Sequence, residues 1–192
     1  MGESYFGDAG RFLVEVVIGF YLLVVILRFL FQLLRADFYN PLSQFVVTLT
    51  NPPLKFLRRF IPGFFGVDVA SIVLALAVAL VKLMLVAAIA GYPLGIGPAL
   101  ALAVADILET VVYVFIVVTI VRAILSWFQQ GSYNPLTRLL DSLSEPLLAP
   151  IRRVLPPIGG LDFSPFVLII VLMLALKLIV RPIADSGLMM LI

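Results

Sequence analysis

Apolar runs alternate with shorter polar stretches along the chain, and the lengths of the runs predict the main elements. Four runs are long enough to cross about 30 Å of hydrocarbon as α-helices. They are residues 12–34, 67–90, 106–128 and 164–180. The sequence therefore predicts an all-α membrane protein with four transmembrane helices.

Two of the polar stretches, residues 41–61 and 135–155, carry apolar positions three or four residues apart. This spacing is typical of a helix with one apolar face. Each stretch begins with a proline, which suits the first helical turn, and follows an asparagine, a favoured N-cap residue. The predicted helix starts are Asn40 with Pro41 and Asn134 with Pro135.

Prolines inside these stretches predict that each helix bends or restarts, at Pro52 and at Pro146, because the residue before a proline disfavours helical backbone. Basic residues then lie on one face, opposite a row of leucines and isoleucines. We interpret both segments as surface helices whose cations contact anionic lipid or a partner. Each cation near an anionic lipid surface contributes about 1 kcal/mol to membrane binding. The alternative is a pair of solvated basic loops. The lipid- or partner-facing residues are Lys55, Arg58, Arg59, Arg152 and Arg153.

The second half of the chain resembles the first. A shift of 94 residues superposes Tyr39-Asn40-Pro41-Leu42 on Tyr133-Asn134-Pro135-Leu136, and it aligns prolines and paired arginines without a gap. We predict two repeats, residues 1–98 and 99–192, each with the order transmembrane helix, amphipathic segment, transmembrane helix. Since two spans return the chain to its starting side, the repeats are parallel in topology and should be related by a pseudo-twofold axis along the membrane normal.

The distribution of basic residues predicts the orientation. Both long loops contain several arginines, whereas the short link at residues 91–98 contains neither lysine nor arginine. By the positive-inside rule, the long loops are cytoplasmic and both termini lie outside.

Charged residues within the spans recur at corresponding positions of the two halves, although Lys82 and Lys177 correspond only if one residue is inserted. A lone ion near the bilayer centre costs on the order of 2.5–3.5 kcal/mol, so we predict ion pairs within each repeat. Snorkelling of the basic side chains to the headgroups is the alternative. The predicted pairs are Glu15–Lys82, Arg28–Asp68, Glu109–Lys177 and Arg122–Asp162.

Composition narrows the classes of function. With 63% hydrophobic and 12% charged residues, the chain has the composition of an integral membrane protein. Histidine and cysteine are absent, which removes imidazole and thiolate chemistry, and we expect no metal or cofactor. The net charge of +2 does not indicate a nucleic-acid partner. Glu15 and Asp68 should lie at opposite depths and cannot form a catalytic carboxylate pair, so we do not expect an enzyme.

Two stretches closely resemble a known family, "LRFLFQLLRADFYNPLSQFVVTLTNPPLKFLRRFIPG" and its weaker copy "VRAILSWFQQGSYNPLTRLLDSLSEPLLAPIRRVLPP". They are similar to the YggT (YlmG-like) family of small bacterial and plastid membrane proteins, here in a doubled form. The resemblance implies no catalytic residue. It links the chain to osmotic-shock tolerance, potassium uptake, cell division, nucleoid or membrane organisation and assembly of membrane complexes, with a location in the bacterial inner membrane.

Two hypotheses of function remain. The first is a non-enzymatic organising or assembly factor for envelope and osmotic homeostasis, which binds lipids and a membrane-protein partner or a second copy of itself. The second is a component of a potassium-uptake system. The first is favoured because the strongest repeated motif lies in the loops, whereas a channel would concentrate its repeated polar groups in the spans.

Overall fold

In a computed structural model, which describes residues 2–64, 66–128, 134–156 and 162–190, the regular elements are all helical. They are α1 (Gly2–Leu33), α2 (Pro41–Leu57), α3 (Val69–Ala90), α4 (Ile96–Phe128), α5 (Pro135–Val154), α6 (Ser164–Ala175), a π-helical turn (Leu176–Val180) and α7 (Arg181–Met189).

Four helical segments among the described residues are long and apolar enough to cross a membrane, which confirms the predicted number. They are Tyr5–Leu33, Val69–Ala90, Ile96–Ser126 and Ser164–Met189. Three of them extend well beyond the predicted apolar runs, because a helix continues through polar residues such as Asp8 and Asp185 as long as its backbone hydrogen bonds persist. The chain thus has the helices of a multi-pass membrane protein.

The helices α2 and α5 begin at Pro41 and Pro135 and run without interruption through Pro52 and Pro146. The predicted restart is therefore wrong. A proline inside a helix removes one backbone hydrogen bond. The buried faces of α2 and α5 offset this loss, since Leu54 and its counterpart Leu148 are fully buried.

The helices pack in the order α1 on α3, α3 on α4, and α4 on α6 and α7. Leu22 and Ile26 of α1 share one buried cluster with Leu74 of α3, Val118 of α4 and Leu143 of α5. A closed twofold would require α6 to pack on α1 as α4 packs on α3. Among the described residues α6 instead makes its extensive helix contacts with α4 and α5. The expected pseudo-twofold is therefore wrong for the packing of α6.

The π-helical turn Leu176–Val180 interrupts the fourth span. A π-helical turn holds an extra residue, because its hydrogen bonds join residues five apart instead of four. The turn contains Lys177, the residue that aligns with Lys82 only when one residue is inserted. The extra residue in the sequence is thus accommodated without breaking the helix.

A glycine allows α7 to lie close against α4. A Cβ atom at Gly187 would lie 3.0 Å from Cγ of Leu102 and 3.1 Å from Cβ of Ala101, which is closer than ordinary van der Waals contact. The neighbouring Ala99 and Ala103 of α4 are fully buried. Small residues on both helices therefore determine how closely α4 and α7 approach.

We predict that Gly187→Ala lowers the free energy of unfolding by about 1–2 kcal/mol, because the added methyl group overpacks this contact. In a helix without such a contact, alanine is favoured over glycine by roughly 1 kcal/mol. Gly19→Ala is the matched control, since no atom lies within 4 Å of a Cβ atom at that position of α1. Thermal unfolding of both variants in detergent micelles checks the prediction, and equal stability of the two would contradict it.

Candidate functional site

The two asparagine caps lie side by side. Oδ1 of Asn40 accepts a hydrogen bond from the backbone N–H of Leu42 at 3.0 Å, and Oδ1 of Asn134 accepts one from Leu136 at 2.9 Å. Nδ2 of Asn40 also donates to the carbonyl oxygen of Pro135 at 2.6 Å. The starts of α2 and α5 are therefore in contact. We call this end of the molecule the loop end.

An arginine near the end of α2 holds the aspartate that precedes α3, and the same contact recurs between α5 and α6. Nη2 of Arg58 lies 2.5 Å from Oδ2 of Asp68. Nε of Arg152 lies 2.9 Å from Oδ2 of Asp162. Each pair joins residues ten positions apart in the chain, so it closes the connection between a surface helix and the following span.

These contacts correct two predictions. The sequence paired Asp68 with Arg28 and Asp162 with Arg122, but the aspartates take their partners from their own loops, because Arg58 and Arg152 reach them without crossing the helix core. Arg58 and Arg152 were also predicted to face lipid or a partner. Their guanidinium groups form ion pairs within the chain. Arg58 nevertheless remains exposed, so its contact with lipid or a partner stays a prediction.

The aspartates at the span starts are stabilised in their ionised form. Burial raises the pKa of Asp68, but hydrogen bonds from Arg58 and Ser71 outweigh this effect and hold the pKa below its usual value. The pKa of Asp162 is likewise raised by burial and lowered more strongly by Ser164 and Arg152, with a net decrease. Both carboxylates therefore favour folding while they are charged.

A larger ionic network occupies the loop end of the second half. Nε of Arg122 lies 2.5 Å from Oδ1 of Asp141, and its Nη2 lies 3.3 Å from Oε2 of Glu145. Nη1 of Arg152 donates to both carboxylate oxygens of Glu145 at 2.8 Å. Burial lowers the pKa of Arg152, but Glu145 and Asp162 raise it by a larger amount. The network connects α4, α5 and the start of α6.

The corresponding arginine of the first half, Arg28, is different. It forms no hydrogen bond or ion pair with the described residues, and its Nε is buried. The arginine at this position is thus paired within the chain in the second half and unpaired among the described residues in the first half.

An ion pair within the spans joins the two halves of the chain. Nζ of Lys82 in α3 donates to Oδ1 of Asp106 in α4 at 2.7 Å. The side chains are only 15% and 22% exposed, so the pair is largely removed from its surroundings. Lys82 was predicted to pair with Glu15. That prediction is wrong, because α4 presents Asp106 to the lysine from the neighbouring repeat.

Three of the charged residues that were predicted to pair within the spans lie on the outside of the molecule. Glu15, Glu109 and Lys177 are exposed, and they form no hydrogen bond or ion pair with the described residues. The predicted pair Glu109–Lys177 is therefore wrong, since both side chains point away from the helix contacts. Their charges are available to a molecule beside the bundle.

Among the exposed cations of the loop end are Lys55, Arg59 and Arg153, which were predicted to face lipid or a partner. On α2 an open groove of about 880 Å³ includes Thr48, Asn51, Lys55 and Arg59 in its lining. Cations beside amide and hydroxyl groups suit an anionic headgroup.

Both halves of the sequence match a model of a known protein family. The model of the CCB3/YggT family matches residues 8–89 and again residues 101–183. The chain belongs to the CCB3/YggT family. This confirms the predicted resemblance, and the same family model matches each half of the chain.

Relatives of this YggT-family chain are bacterial. The uncharacterised protein PA0392 of Pseudomonas aeruginosa is 45% identical over 173 residues, which cover 89% of this chain and 86% of that protein. An uncharacterised protein encoded in the proC 3' region of Vibrio alginolyticus is 40% identical over 166 residues, covering 85% and 89%. The uncharacterised protein YggT of Escherichia coli strain K12 is 39% identical over 162 residues, covering 84% of each. No solved structure matches.

Three acidic residues of this YggT-family chain escaped the sequence analysis. Asp106 has no acidic counterpart in the first half, where the shift of 94 gives Phe12, and Asp141 and Glu145 correspond to Val47 and Asn51. A search confined to repeated charges therefore could not find them. An acidic residue that is present in only one of the two halves was the signal that could have identified them.

Proposed function

We propose that this YggT-family protein is a non-enzymatic organising or assembly factor of the bacterial inner membrane. In this role it binds a membrane-protein partner, either a second copy of the chain or another protein, through charges on the outside of its spans. The observation that carries the proposal is the exposed position of Glu15, Glu109 and Lys177, which lack partners among the described residues.

Energetics support a protein partner. Glu109 and Lys177 lie within one helical turn of the middle of their spans, where an ionised side chain costs on the order of 2.5–3.5 kcal/mol. A lysine can extend toward the headgroups, but a glutamate side chain is too short to do so from mid-span. A partner that presents an opposite charge or a hydrogen-bond donor at the same depth would offset this cost.

The loop end supports an additional contact with lipid. Lys55, Arg59 and Arg153 are exposed there, and basic residues beside a span are attracted to the anionic cytoplasmic leaflet. Contact with this leaflet places the loop end on the cytoplasmic side and both termini outside, as the positive-inside rule predicts. The bacterial relatives support the inner membrane as the location.

The assembly role is favoured over potassium uptake. An ion pathway needs polar groups that face one another across a passage, whereas Glu15 and Glu109 face outward. Within the spans, Lys82 and Asp106 neutralise each other.

A charge-dependent cross-linking experiment tests the proposal. A photo-reactive amino acid replaces Tyr113, an exposed residue one turn from Glu109 on α4. We expect irradiation of intact cells to yield a defined protein adduct, and its yield should fall at least about tenfold in the variant Glu15→Gln/Glu109→Gln/Lys177→Gln, because the partner's charges lose their counterparts. An adduct of twice the chain's mass identifies a second copy, and any other mass identifies a different protein.

The matched control is Asp8→Asn/Arg11→Gln, which removes an exposed pair near the start of α1. It should leave the adduct unchanged. Equal yields from the wild type and the triple variant, or adducts with lipid alone, would refute the assembly role.

A further inference from the structure

A cavity of about 280 Å³ lies at the loop end of the first half, between the end of α1 and the start of α2. Its polar lining consists of Arg28, Gln32, Arg35 and Ser43, and Val47 is part of its apolar wall. Two guanidinium groups, an amide and a hydroxyl group therefore surround one space, and among the described residues no acidic side chain lines it.

Two polar atoms of the cavity residues are buried without a partner. Nε of Arg28 and Oγ of Ser43 have no hydrogen-bond partner in the part of the chain that the structure describes, and Ser43 is only 2% exposed. Nearly all buried polar groups in proteins are hydrogen-bonded. Two unsatisfied donors beside the same cavity therefore indicate a missing acceptor.

The second half indicates the charge of that acceptor. Arg122, which corresponds to Arg28, is neutralised by the carboxylates of Asp141 and Glu145. The shift of 94 residues gives Val47 and Asn51 at their positions in the first half. The first half thus retains the arginine and lacks the two carboxylates that contact its counterpart.

The surrounding backbone also suits an anion. The cavity lies at the N-terminus of α2, where the helix dipole favours negative charge. Arg35 adopts a left-handed conformation with φ of 53°. Hydrogen bonds from Arg35 N–H to the Gln32 carbonyl and from Ala36 N–H to the Phe31 carbonyl complete a helix end at which glycine is usual. Arginine tolerates this strain at a place where its side chain lines the cavity.

We propose that this cavity binds a phosphate group, which accepts hydrogen bonds from Arg28 and Ser43 and is neutralised by Arg28 and Arg35. Arg28 lies about 7.5 Å along α1 from its end at Leu33, at the depth expected for lipid headgroups beside a span. The phosphodiester of a phospholipid is therefore the favoured source, and inorganic phosphate is the other. The site does not depend on the assembly role, because Glu15, Glu109 and Lys177 take no part in it.

Lipid binding to the purified full-length chain tests the proposal. The chain is delipidated in dodecyl maltoside and titrated with dioleoylphosphatidylglycerol, and native mass spectrometry counts the bound lipids. In a second arm, inorganic phosphate is added alone and then as a competitor. A tightly bound single lipid that phosphate does not displace identifies the lipid source. Protection against thermal unfolding by phosphate alone, with loss of the lipid, identifies free phosphate.

Two variants and a control connect the binding to the cavity. Arg28→Gln should weaken the tight binding at least about tenfold, because it removes a charge-assisted hydrogen bond. Val47→Asp provides the carboxylate that the second half has, and it should abolish the binding while the chain remains folded. Arg181→Gln removes an exposed cation of α7, outside the cavity, and should change the affinity less than twofold.

Equal affinity of the wild type and Arg28→Gln for both lipid and phosphate would overturn the proposal. An equal loss in Arg181→Gln and Arg28→Gln would do so as well, since the effect would then depend only on the net charge of the chain. If Val47→Asp fails to fold, the comparison of Arg28→Gln with Arg181→Gln still decides the question.

Discussion

Replacing Asp106 with leucine should lower the free energy of unfolding by about 3–5 kcal/mol, the range found when one partner of a buried ion pair is removed. The change leaves the ammonium group of Lys82, which is 15% exposed, without its hydrogen-bond acceptor. Because the pair joins α3 to α4, the loss should also separate the two halves. Unfolding of the purified chain in mixed micelles, followed by circular dichroism, measures the effect.

The double variant Lys82→Met/Asp106→Leu should regain most of this stability, because apolar residues of similar volume often replace a buried ion pair without loss. Lys177→Met is the matched control. It removes the corresponding lysine, which is exposed and unpaired among the described residues, and it should change the stability of the isolated chain by less than about 0.5 kcal/mol. A double variant no more stable than Asp106→Leu alone would mean that the two residues are not coupled.

The helices themselves could be predicted from the sequence because each depends on local information. The length of an apolar run determines whether it can cross the bilayer, and each of the four predicted runs overlaps one spanning helix. The starts of α2 and α5 could also be predicted, since an asparagine followed by proline satisfies the first helical turn by itself. Asn40 and Asn134 accept the N–H groups expected of such caps.

The ion pairs could not be predicted in the same way, because they depend on how each helix is rotated about its axis. The depths of Glu15 and Lys82 made them plausible partners, but depth does not determine which face of α1 or α3 carries the charge. In the structure Glu15 faces outward and Lys82 faces α4. The contact of α3 with α4 lies between the repeats, and a prediction restricted to pairs within a repeat excludes it.

Differences between the halves contain information that their similarity does not. Arg28 and Arg122 are the same residue at corresponding positions, and the similarity alone suggests the same role. The change from Val47 to Asp141 gives Arg122 a carboxylate in direct contact, whereas Arg28 contacts none among the described residues. In a duplicated chain, the arginine of one copy can thus be paired within the chain while the same arginine of the other copy remains able to bind an external ligand.

Acidification should reveal the contribution of the two aspartates that precede α3 and α6. The pKa values of Asp68 and Asp162 are lower in the folded chain than usual, so each stabilises the fold while it is ionised. This stabilisation is complete above the pKa of an unfolded aspartate, about 3.9. It is lost as the pH falls below that value through the folded pKa. The wild type should therefore be less stable at pH 3 than at pH 6.

The variant Asp68→Asn/Asp162→Asn should already be destabilised at pH 7, by about 2 kcal/mol for each lost charge-assisted hydrogen bond. Its stability should fall less between pH 6 and pH 3 than that of the wild type, because two of the titrating groups are gone. Asp8→Asn is the control, since Asp8 is 69% exposed and should leave the acid profile unchanged. A double variant that follows the wild-type profile at lower overall stability would mean that Asp68 and Asp162 stabilise their loops through packing and not through their charge.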